Sequence, residues 1–108
     1  MKTEIFMHSN NNDYEAKGSY NDGIVTVHAG SRISRSVATH IKKKSYVFLL
    51  REDSNIVDSD GIVLKECHFG APSPAAQFVS GRMINGYLAW QVAKRLNLRK
   101  WLTQQKNN

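Results

Sequence analysis

The chain has a single cysteine, Cys67, which excludes an intrachain disulfide and fits a reducing compartment. Long apolar runs are missing. The longest, Tyr46 to Leu50, is far short of the roughly 20 residues that span a bilayer. The N-terminus lacks the apolar core of a signal peptide. These absences predict a cytoplasmic protein with no membrane contact. Catalytic signatures are also missing. There is no Cys-x-x-Cys and no His-x-x-x-His spacing among Cys67, His8, His28, His40 and His68, so the four converging ligands of a zinc site are not expected. The glycines match neither a P-loop nor a dinucleotide fingerprint. Asp58 and Asp60 sit in a Ser-rich turn and read as solvated loop residues rather than paired catalytic carboxylates. No cofactor and no enzymatic activity are expected.

What is present is positive charge. Fifteen Lys and Arg against nine Asp and Glu give a formal net charge of +6. An excess of this kind favours an acidic partner, nucleic acid first. Arg32, Arg35, Lys42, Lys43, Lys44 and Arg82 are the candidate phosphate contacts. Lys42 to Lys44 fit a solvated face equally well. The 108 residues suit one domain, 1–108.

Along the chain, residues 3–8 are β-prone. Tyr14 to Tyr20 and Ile24 to His28 flank Asn21-Asp22-Gly23, whose Asp-Gly pair is a hairpin signal. An antiparallel meander of three strands is the expected start. Residues 35–45 develop no apolar face and read as a surface segment. Tyr46 to Val57 fits a strand by composition and a short helix by spacing, and periodicity cannot arbitrate over so short a run. Asp58 to Gly61 reads as a turn and Ile62 to Phe69 as a strand. Asp22-Gly23-Ile24-Val25 recurs as Asp60-Gly61-Ile62-Val63, a repeated turn-strand unit. Near the C-terminus, Tyr87 to Val92 alternates like a strand, while Ala89, Val92, Ala93 and Leu96 fit a helix. Leu98, Trp101 and Leu102 continue the helical spacing, with Lys94, Arg95, Arg99 and Lys100 as its basic outer side. Residues 93–108 are thus expected to be a C-terminal helix with a frayed tail.

Residues 69–90 carry the most information. Ser73 is the expected N-cap and Pro74 the first helical residue of a helix spanning about 73–82. Ala75, Phe78, Val79 and Met83 mark one buried face. Gly81 suits the helix end. Asn85-Gly86 is a turn signal, after which Trp90 returns to the core rather than serving as a stacking platform. The helix N-terminus at Ser73, with Arg82 and Asn85, forms the candidate anion-binding ledge.

The pattern Phe69-x-x-Pro72-Ser73-x-Ala75-Ala76, followed by Gly81-Arg82-x-x-Asn85-Gly86-Tyr87-x-x-Trp90, resembles the signature of a small domain of unknown function. That domain is found at the C-terminus of GIY-YIG-type nucleases and restriction-associated proteins and is similar to the restriction adenine methylase-associated (RAMA) domain. Ala16-Lys17-Gly18, Asp22-Gly23 and Gly30-Ser31 resemble its N-terminal hairpin. The resemblance covers about residues 14–92. Gly70, Ala71, Pro74 and Tyr87 depart from the family pattern. The resemblance implies an α+β module of antiparallel hairpins packed with a capped helix and a C-terminal helix. It also implies a DNA-binding accessory of restriction or modification systems, with DNA favoured over RNA. The alternative is a protein-interaction module that regulates or inhibits a nuclease or defence system.

Overall fold

A computed structural model describes residues 2–38 and 45–106. The chain opens with three antiparallel strands, β1 (Lys2–His8), β2 (Glu15–Asn21) and β3 (Ile24–Val27). Helix α1 (Tyr46–Glu52) follows, then β4 (Cys67–Phe69) and α2 (Pro72–Ser80). The C-terminal part holds α3 (Gly86–Ala89), β5 (Gln91–Ala93), β6 (Leu96–Asn97) and α4 (Leu98–Lys106). All six strands join one antiparallel sheet in the order β4-β3-β2-β1-β5-β6. The α+β architecture, the opening meander and the helix near residues 73–82 match the expectation from sequence.

Strand alternation sets the layers. Ile5 and Met7 on β1, Ala16 on β2, Val25 and Val27 on β3, and Cys67 and Phe69 on β4 are all buried. Helix α2 packs on β2, β3 and β4, burying Ala75, Ala76, Phe78 and Val79. The alanines let the helix lie close, and Phe78 meets Phe69 with ring centroids 5.3 Å apart. Trp90 is fully buried and its indole N–H donates to the Pro72 carbonyl at 3.2 Å. Its own backbone carbonyl accepts from Leu98 at 2.9 Å, which docks α4.

The Asp22-Gly23 turn forms as expected, with φ of 51° and 93°, the positive pair a two-residue hairpin needs. Its echo, Asp60-Gly61, is also a turn. There the Asp58 side chain accepts from the Asp60 and Ile62 amides, both at 2.9 Å.

Several expectations are corrected. The strand expected over Ile62 to Phe69 reduces to Cys67–Phe69, with Ile62 and Val63 in isolated bridges to Arg32 and Val57. The choice left open over Tyr46 to Val57 resolves to a helix at Tyr46–Glu52, capped by Ser45, whose hydroxyl accepts from the Phe48 amide. The C-terminal helix begins at Leu98 rather than residue 93, because Gln91–Asn97 is spent on the β5–β6 hairpin, which turns at Arg95 with φ 64°. Met83 lies beyond the end of α2 and is 55% exposed.

Ser73 is not the N-cap. Helix α2 starts one residue earlier, with Ala71 in the cap position and no side-chain cap bond. Pro72 and Pro74 remove two of the four donors that a cap would serve. The Ser73 hydroxyl instead accepts from the Gly86 amide at 2.9 Å. Asn85-Gly86 is not a positive-φ turn. Asn85 is the N-cap of α3, accepting from the Tyr87 amide at 2.9 Å. Gly86 is needed for a different reason: a Cβ there would lie 2.2 Å from the carbonyl carbon and oxygen of Pro72.

Candidate functional site

The residues expected to contact phosphate do not converge. Arg32 is half-buried and committed to the loop before β2. Its guanidinium donates to the Asn12 carbonyl at 2.8 Å, the Asp13 carbonyl at 3.1 Å and the Asn12 side chain at 2.9 Å. Arg35 is exposed and lines a different hollow, with Arg51, Glu52 and Asp58. Arg82 is exposed after α2, near Asp13 and Tyr14; burial raises the Tyr14 pKa, Asp13 adds to this and Arg82 opposes it. Lys42, Lys43 and Lys44 lie outside the described residues. Ser73 and Asn85 are spent on backbone amides, as above. With Pro72 and Pro74 in its first turn, α2 also offers fewer free N–H groups to an anion than most helix ends.

The sheet face opposite α2 is a different matter. Alternation places Glu4, Phe6 and His8 of β1 there, beside their β2 partners Ser19, Lys17 and Glu15. Among the helical residues, Ala89 at the end of α3 lines its edge. His28, just past β3, reaches across β2 in this face. Its Nε2 lies 3.0 Å from Glu4 Oε1 and its Nδ1 2.9 Å from Glu66 Oε1. The second Glu66 oxygen accepts from the Ala29 amide at 2.6 Å. Ser19, the cross-strand partner of Glu4, faces this side yet is only 5% exposed, as expected for a residue beneath that bridge.

Two carboxylates on the two ring nitrogens require a donor at each, and only imidazolium provides both. Burial alone lowers the His28 pKa, but the bonds to Glu4 and Glu66 outweigh it and raise it. Glu66 is held below its usual range, first by the Ala29 amide and then by His28.

Beside this bridge the face is hollowed. Phe6, His8, Ala89, Gln91, Lys94 and Arg95 line a depression of about 250 Å³. A second, of about 200 Å³, joins it at Phe6 and adds Glu4, Lys17 and Val92. The Phe6 and His8 rings are parallel within 2°, with centroids 6.3 Å apart. Lys17, Lys94 and Arg95 are exposed. Their side chains form no hydrogen bond or ion pair with any described residue.

Sequence reasoning missed this grouping. The alternation of Phe6 and His8 with Ile5 and Met7 was a readable signal. The placement of Lys94 and Arg95 beside them was not, because it follows from the pairing of Phe6 with Gln91, 85 positions along the chain (91 minus 6).

Among the described residues, no group of three or more His, Cys, Asp and Glu side chains is arranged to hold a metal ion. Burial pushes the Cys67 thiol up, away from thiolate. No described helix is long and apolar enough to cross a membrane.

No curated protein and no solved structure matches the chain. A family model does, over residues 6–102, from within β1 into α4, a span that includes Phe6, His8, Lys17, Lys94 and Arg95. The chain belongs to the family described as a domain of unknown function, DUF4357.

Proposed function

We propose that the protein is a non-enzymatic nucleic-acid-binding accessory module, acting on DNA in restriction or modification-type systems. The sequence pattern similar to domains that accompany GIY-YIG-type nucleases and the RAMA domain supports the setting. The net charge of +6 supports the ligand class. The observation that carries the reading is the hollowed sheet face, where Lys17, Lys94 and Arg95 stand exposed beside two parallel rings. Cations without partners among the described residues remain available to phosphate oxygens, and such contacts give binding that falls as salt rises. Titration with DNA at low and at moderate salt tests this. Binding at low salt that weakens steeply with added salt is expected; no binding at low salt overturns the reading.

One observation favours a second reading, a protein-interaction module acting on a nuclease or defence system. Tyr46 and Leu49, three residues apart on α1, are 60% and 57% exposed, and that spacing puts them on one side of the helix. If Tyr46→Ser with Leu49→Ser abolishes activity in the host while charge variants of the sheet face do not, this second reading holds.

A further inference from the structure

We infer that the sheet face takes single-stranded rather than duplex DNA, with unpaired bases stacked on Phe6 and His8. The inference rests on the nucleic-acid reading above and sharpens it.

Phe6 and His8 stand two residues apart on β1, and their 6.3 Å centroid separation is close to the roughly 6.7 Å rise of two strand residues. The rings therefore stand in a parallel row at the strand's own spacing, with His8 exposed and Phe6 half-buried. Base–aromatic stacking requires an accessible base face, which a duplex hides within its own stack and a single strand exposes. The hollow of about 250 Å³ gives such a base room beside the rings.

Charge is arranged to match. β1 lies between β2 and β5. Lys17 on β2 therefore flanks the aromatic row on one side, and Lys94 and Arg95, at the turn after β5, flank it on the other. A nucleic-acid backbone crossing the rings meets a cation on either side. The opposing carboxylates are Glu15, the cross-strand partner of His8, and at the Phe6 end Glu4, which is paired with His28. Gln91 supplies a polar group at the floor: its Nε2 donates to the Leu88 carbonyl at 3.4 Å, leaving Oε1 to accept from a base edge.

The test is a titration of the full chain with oligothymidylate and with a duplex of the same length, both at low salt. The single strand is expected to bind more tightly. His8→Ala changes an exposed side chain, and Phe6→Leu keeps apolar bulk while removing the ring. Each should weaken single-strand binding roughly fivefold or more and leave duplex binding unchanged, with thermal unfolding confirming that the variants fold. Equal or tighter duplex binding overturns the inference. So do ring variants without effect, when Lys94→Gln with Arg95→Gln weakens binding; in that case the broader nucleic-acid reading survives. Failure of both DNA forms to bind overturns both.

Discussion

Arg51 is 8% exposed and has no carboxylate within ion-pair distance among the described residues. Its guanidinium donates to the Phe78 and Ser34 carbonyls, and at 3.4 Å to that of Ser36. Phe78 lies in the last turn of α2, where carbonyls lack helical partners and a cation is favoured. Residues 34–38 run beside the same helix end, with Ser34 donating to the Val79 carbonyl and Ala38 to that of Gly81, both at 2.8 Å. Arg51 thus joins α1, α2 and this segment. Arg51→Met keeps bulk but strands several buried acceptors, each worth about 1–3 kcal/mol. Urea unfolding should show a loss of about 3 kcal/mol, and a loss below about 1 kcal/mol would contradict the role. This residue also explains why Tyr46–Leu50 could not be assigned from sequence. The buried side of α1 carries Val47 and then Arg51 at i+4, and no apolar periodicity registers an inward arginine. The Ser45 cap was legible by residue type, yet its meaning depended on that helix existing. Ser73 misled for the opposite reason. It is a good cap by type, but the helix starts one residue earlier, at Pro72, so Ser73 falls inside the first turn and its hydroxyl takes the Gly86 amide instead.

At the scale of elements, the His28 bridge links β1 to the segment leading into β4 across β2. The sign of its pH dependence follows from the two shifts. His28 has a raised folded-state pKa, so its contribution is fully present below the unfolded value of 6.5 and is lost as pH rises through the folded value. Glu66 has a lowered one, so its contribution is present above the unfolded value of 4.5 and is lost as pH falls through the folded value. Stability should therefore peak in the mildly acidic window between those two values. The groups are partly exposed, so the alkaline loss should be about 1 kcal/mol or less. Thermal unfolding against pH, for the wild type and His28→Gln, reads this directly: the variant should lose the alkaline limb, and parallel profiles would contradict the bridge. Legibility at this scale followed sequence distance. β1, β2 and β3 could be drawn because each pairs with its neighbour through a short connection and a recognisable turn. β5 and β6 could not. Their residues also fit a helix, and the pairing of Phe6 with Gln91 that decides for a strand is non-local.

For the whole molecule, the net charge pointed to an acidic partner but not to a surface. Folding spends Arg32 on a loop and places Arg35 and Arg82 apart from it. Lys17, Lys94 and Arg95 meet instead on the hollowed side of a sheet whose other side holds the core. The central claim is that this face binds nucleic acid through those three cations. The most direct measurement is the dependence of log affinity on log salt for oligothymidylate, comparing the wild type with Lys17→Gln, Lys94→Gln and Arg95→Gln combined. Each phosphate contact on a single strand contributes a slope of about 0.7, so loss of three contacts should reduce the slope by about 2. A wild type that does not bind at low salt, or a variant with an unchanged slope, would contradict the account.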